Sequence, residues 1–104
     1  MNGERIEHTG RLRRWTGGTN GSWHFLIIDG EAGEALSATA LMRRLEGLSR
    51  GFGSLKVIAT IGDTRFATSV FPQKGEGWLL PVKAAVRKAE GLGDGDEITV
   101  DLDV

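Results

Sequence analysis

Apolar side chains recur along this chain with two periods, and the two divide it into strands and helices. The most fully punctuated stretch is residues 77–104, GWLLPVKAAVRKAEGLGDGDEITVDLDV. A short strand over 78–80 leads to Pro81, whose fixed φ and missing N–H suit the first position of a helix. Val82, Ala85, Val86 and Ala89 then fall at i, i+3, i+4 and i+7, so one face is expected on a core, with Lys83, Arg87, Lys88 and Glu90 on the other. Gly91 is a natural left-handed helix stop, with Leu92 placed to fold back on Val86, and Arg87 and Lys88 suit the negative pole of the helix dipole. Asp94-Gly95 marks a tight turn. Beyond it Ile98, Val100, Leu102 and Val104 alternate with polar residues, the period of a strand with one packed face and one wet face.

The rest of the chain reads in the same way. Over residues 4–15, Ile6, His8, Gly10 and Leu12 share one side and Arg5, Glu7, Thr9, Arg11 and Arg13 the other. Turn formers at 16–21 join this strand to a second over 22–29, in which Trp23, Phe25 and Ile27 oppose His24, Leu26 and Ile28. Two largely apolar faces predict a central strand. Asp29-Gly30 breaks it, and 31–45 predicts a helix on Leu36, Ala40 and either Leu41 or Leu45, with Arg43-Arg44 in its last turn. After Gly47 and a loop at 49–54, Leu55, Val57, Ala59 and Ile61 share a strand face, Asp63-Thr64 turns the chain, and 65–71 returns antiparallel. Residues 71–77 read as a loop. The order is β-β-α-β-β-β-α-β, without the βαβ rhythm of a parallel sheet. It predicts a mainly β protein with two helices: a small antiparallel barrel, closed or nearly so and capped by helices.

Composition narrows this further. The 104 residues predict a single domain over 1–104, large enough to fold without metal or disulfide staples. With no cysteine there are no disulfides, thiolate metal sites or cysteine nucleophiles, in keeping with a reducing compartment. No apolar run approaches a membrane span and the N-terminus is not a secretory signal, so a soluble, cytoplasmic protein with no membrane partner is expected. The net charge of −1 is unevenly placed: residues 92–104 carry 5 of the 14 acidic residues and none of the 13 basic ones. That strand reads as an acidic edge strand protected from aggregation. Sixteen glycines exceed the usual share of about 7% and sit at turns, as short, tightly joined strands require.

Two stretches resemble a known family. Gly51-Phe52-Gly53-Ser54-Leu55-Lys56-Val57, running on to Ile61-Gly62-Asp63-Thr64-Arg65-Phe66 and Phe71-Pro72, is one; Leu80-Pro81-Val82-Lys83 through Ala89, with Gly95-Asp96 beyond it, is the other. Together with Trp15 and Trp23-His24-Phe25 they resemble the bacterial domain-of-unknown-function family numbered nineteen-oh-five over almost the whole chain. The resemblance implies a double-split β-barrel, a pseudobarrel capped by helices, and no established activity. The final strand-Pro-helix-Gly-Asp-strand unit also looks like half of an AbrB-type swapped-hairpin barrel, which in that family binds DNA as a dimer.

Candidate chemistry is sparse. Lys83, Arg87 and Lys88 form one basic patch and Arg11, Arg13 and Arg14 another, each also explicable as a solvated face. A pI near 6.1 lacks the basic excess of a dedicated nucleic-acid-binding domain. Trp15, Trp23 and Trp78 are expected to plug the barrel ends, the alternative being an aromatic-walled pocket. His8 and His24 lack the spacing of a metal pair and read as structural or exposed. No nucleophile elbow or triad can be assembled, Asp94-Gly95-Asp96-Glu97 lacks EF-hand spacing, and Gly17-Gly18 with Gly21 lacks the residues of a phosphate loop. No catalytic residue, metal or cofactor is therefore expected. The reading is a non-enzymatic module, monomer or homodimer, whose open barrel end near Arg65, Trp78, Lys83 and Arg87 accepts a small anion or a peptide. The runner-up is a dimeric nucleic-acid-binding regulator of AbrB-like architecture.

Overall fold

The computed structural model describes residues 5–15, 23–47, 53–73 and 77–104. The turn expected at 16–21, most of the loop at 49–54 and the middle of the loop at 71–77 lie outside them.

Seven strands and two helices follow one another as β1 (Arg5–Arg11), β2 (Arg13–Trp15), β3 (Trp23–Ile28), α1 (Gly30–Leu45), β4 (Leu55–Ile61), β5 (Thr64–Pro72), β6 (Trp78–Pro81), α2 (Ala84–Glu90) and β7 (Glu97–Asp103). The strands pair in the order β1-β7-β4-β5-β6-β3-β2, every pair antiparallel. The protein is mainly β, and the sheet forms a nearly closed barrel. Leu12 alone separates β1 from β2, so the two are one strand bent in the middle. One arm pairs with β7 and the other with β3. The bend is held where the Leu12 N–H donates to the Asp96 carbonyl (2.8 Å) and the Gly95 N–H donates to the Leu12 carbonyl (2.7 Å). Across the seam His8 Nε2 bonds the Ile27 carbonyl at 2.9 Å, tying β1 to the end of β3.

One face of each long strand supplies the core. Leu26 and Ile28 of β3, Val57 and Ala59 of β4, Val70 of β5, Leu80 of β6 and Val100 and Leu102 of β7 are buried together with Leu36 of α1. These are the faces that the alternation predicts. The unit β6–α2–β7, with its AbrB-like look, is completed within the chain: β6 pairs with β3 and β5, and β7 with β1 and β4.

Three expectations need correction. Pro81 does not start a helix. It ends β6 opposite Phe25, beyond Trp78 and Leu79, the part of β6 that β5 pairs with, and the next N–H, that of Val82, donates to the His24 carbonyl at 2.9 Å. A residue without a donor is tolerated at such a strand end. The chain stays extended through Lys83 and α2 begins at Ala84, so the predicted apolar stripe is broken: Val82 and Val86 are buried while Ala85 and Ala89 are exposed. Gly91, at φ +65°, ends the helix as predicted, with the Leu92 N–H reaching back to the Arg87 carbonyl at 2.8 Å. Second, β7 is not an edge strand. It lies between β1 and β4, and its acidic side chains point to the barrel's outer surface, where Asp101 meets Arg5 at 3.7 Å. Third, α1 buries Ala32, Gly33 and Leu36 only in its first half, leaving both Leu41 and Leu45 exposed.

Candidate functional site

The link from β6 to α2 borders a concavity. Because Lys83 is the last extended residue and Arg87 sits one helical turn on, both cations border it. The backbone fixes their spacing, since the Val86 and Arg87 N–H groups both donate to the Lys83 carbonyl (3.1 and 3.0 Å). Arg87 is further pinned where its Nε donates to the Val82 carbonyl at 3.2 Å. Below them lies a cavity of about 370 Å³, lined by Lys83, Arg87, His24, Thr68 and the apolar walls of Pro81, Val82 and Ala84. Among the described residues no carboxylate lines it.

His24 is the unexpected member. On β3 it shares the inward face with Leu26 and Ile28, is only 8% exposed, and its Nδ1 is buried with no hydrogen-bond partner. An unpaired buried nitrogen is costly, so such a group calls for an explanation. Burial foremost, then the Arg87 guanidinium, holds the His24 pKa below its ordinary value; Asp94 opposes this and Arg14 adds to it. The folded protein thus favours the neutral ring while the unfolded chain takes up a proton below about pH 6.5. The unfolded state then binds more protons, and stability must fall with falling pH in that window. In urea titrations, the wild type is expected to lose stability relative to His24→Phe as pH drops below about 6.5, with the difference flat above it. A difference independent of pH would refute the burial of a neutral ring.

The four residues singled out in the sequence separate. Lys83 and Arg87 share this cavity. Trp78 lies elsewhere, buried, with Nε1 donating to Ser37 Oγ of α1 at 2.9 Å, beside a second hollow of about 280 Å³ that includes Leu41 and Arg44. Arg65 is exposed on β5 opposite Thr60. Trp78 does help fill the barrel; the side chains of Trp15 and Trp23 lie outside the described part. His24 and Thr68 carry no signal of a site in the sequence, although the period of two places His24 on the inward face. In the other basic patch Arg13 and Arg14 are exposed, and the Arg11 guanidinium donates to the Gly95 carbonyl at 3.1 Å. His8 serves the seam. Among the described residues no group of three or more His, Asp or Glu could hold a metal ion, and no helix is long and apolar enough to cross a membrane.

Residues 9–102 match the sequence pattern of the family described as Domain of unknown function (DUF1905). The chain belongs to that family. The match takes in the bend at Leu12, both helices and all of the cavity's lining residues, so the site lies wholly within the DUF1905 domain. No curated protein matches the sequence.

Proposed function

We propose that this DUF1905 chain is a non-enzymatic binding module for a small anion, received in the cavity at the start of α2. One observation carries the reading: two cations, Lys83 and Arg87, line a single cavity together with His24, and among the described residues no acidic side chain lines it. A positive, partly dehydrated recess is where an anion gains most, because Coulomb attraction strengthens as the local dielectric falls. The volume of about 370 Å³ is near the lower end for small-molecule sites, which favours a compact ligand over a peptide strand. The nucleic-acid reading rests on the basic residues of α2 and the first strand, Lys83, Arg87 and Lys88 with Arg11, Arg13 and Arg14, in a chain of net charge −1.

A thermal-shift panel of inorganic and organic anions tests the proposal. A ligand at 100 times its Kd adds roughly 2.7 kcal/mol of stability and raises Tm accordingly. Lys83→Ala combined with Arg87→Gln should weaken any such ligand by at least about tenfold, the order expected for losing charge-assisted hydrogen bonds. If no anion raises Tm, or the double variant binds as well as the wild type, the proposal fails.

A further inference from the structure

The helix α1 turns one side to the barrel and the other to solvent, and no residue of it lines the cavity at α2. Ala32, Gly33 and Leu36 make the buried side. On the side opposite Leu36 run Glu31, Glu34, Ala38, Leu41 and Leu45, all exposed and spaced i, i+3, i+7, i+10 and i+14, the spacing of a seam between two helices. Met42 lies beside that stripe. Leu41, Met42 and Leu45 are 52%, 58% and 73% exposed, and among the described residues Phe71 is the one other large apolar side chain left so open. A lone exposed apolar residue needs no explanation, but three on one helix stripe, rimmed by charge, mark a contact surface. The stripe also has a polarity. Glu31 and Glu34 occupy its first turns, and Arg44 flanks the apolar half at the far end, with Glu46 on the other flank. Acid at one end, leucine beyond the middle and base at the other make this helix complementary to its own reverse. Turned end for end about a point between Ala38 and Leu41, it brings Glu34 level with Arg44 of a second copy, whereas a parallel arrangement sets Glu34 against Glu34.

We infer that the chain forms an antiparallel homodimer through α1. Leu41, Met42 and Leu45 pack across a twofold axis, with Ala38, small enough to let the helices close up, near its centre, and Glu34 pairs with Arg44 of the second copy at both ends. Burial of the leucines supplies the affinity. The charges fix the direction, since exposed ion pairs add little while like charges brought into register repel. One helix face from each copy is a small interface, of the weak and transient class.

Sedimentation equilibrium of the full chain from about 10 µM to about 1 mM, the range that a small interface calls for, should show a reversible equilibrium between monomer and dimer. Leu45→Glu should stay monomeric throughout while keeping the wild-type Tm, because the side chain it replaces is exposed. Glu34→Arg and Arg44→Glu should each weaken the dimer at least about tenfold at low salt, since the twofold axis repeats every reversed pair. Both reversals in one chain should restore the homodimer, and the two single variants mixed should pair with each other better than either pairs with itself. Within one chain Glu34 and Arg44 lie about 15 Å apart along the axis, at 1.5 Å per residue, so rescue arises between copies and only in the antiparallel register. A monomer at every concentration would overturn the inference and leave the stripe to a different protein. A dimer indifferent to Leu45→Glu would overturn it by moving the contact to another surface, and a dimer that the double reversal fails to restore would overturn the antiparallel arrangement.

Discussion

Gly77→Ala is expected to destabilise the protein by roughly 2–5 kcal/mol, combining the left-handed penalty with that of overpacking, and to lower Tm by more than about 10 °C. Gly77 adopts φ +68°, a conformation that an alanine holds only at a cost. A methyl there would also lie 2.2 Å from the Ile28 carbonyl oxygen and 3.0 Å from Asp29 Cα. Both are backbone atoms at the end of β3, so no side-chain rotation relieves the overlap. Gly33 presses on the same carbonyl from α1, its would-be Cβ at 2.7 Å. The end of β3 is thus clasped between the first turns of α1 and the approach to β6, and any added atom must push one of them away. Gly91→Ala is the control: its φ is +65°, but a methyl would meet nothing within 4 Å. It should cost only the backbone term, about 1–2 kcal/mol. The difference between the two midpoints in urea isolates the clash, and equal losses would show that the clasp is loose.

That clasp helps explain what the sequence discloses and what it hides. Alternation is a local property, and the inward faces of β3, β4 and β7 follow from it residue by residue. Where an element begins depends on its neighbours. Pro81 is as good a helix start as any sequence offers, yet β3 reaches far enough to recruit Val82, and the strand keeps the proline. The helix then begins at Ala84, rotated from the expected phase, which leaves Ala85 and Ala89 in water. For β7, acidity on one face described an exposed surface correctly but could not distinguish an edge strand from an inner strand of a barrel, since both have an outer face. In α1, Leu41 and Leu45 continue the helical period past the point where the barrel ends.

The candidate site shows the same division. Lys83 and Arg87 are four residues apart, so their association was visible in the sequence, and they do share a cavity. Arg65 and Trp78 were expected beside them at an open barrel end. Trp78 is drawn into the interior under α1, where Ser37 satisfies its indole N–H. His24 lies some sixty residues before Arg87, and only the β3–β6 pairing brings the two together. Its inward orientation was legible from Leu26 and Ile28. Its unpaired Nδ1 was not, because satisfaction of a buried atom is a property of the assembled fold.

Leu12→Ala is the second substitution with a large expected effect, and its interest lies in where the loss appears. Leu12 is fully buried. Truncating such a side chain costs about 2–5 kcal/mol in transfer and cavity terms, a fall of roughly 10–25 °C in Tm for a domain of this size. Unlike a core residue within one strand, Leu12 sits at the bend between β1 and β2. Its backbone bonds to Gly95 and Asp96 join the bend to the turn before β7, and its side chain anchors the corner. If β1 and β2 work as one strand across the barrel's closure, loosening that corner should release both arms. Amide exchange in Leu12→Ala should then quicken together at Leu102, which pairs with Ile6, and at Phe25, which pairs with Arg13, while Ala67 in the β4–β5 hairpin stays protected up to the global limit. Faster exchange in only one arm would mean that β1 and β2 are independent strands meeting by accident of sequence. The outcome also bears on the cavity, because β3 carries His24 and is paired to β2 at Arg14: a barrel opened at Leu12 should bind an anion more weakly although Lys83 and Arg87 are unchanged.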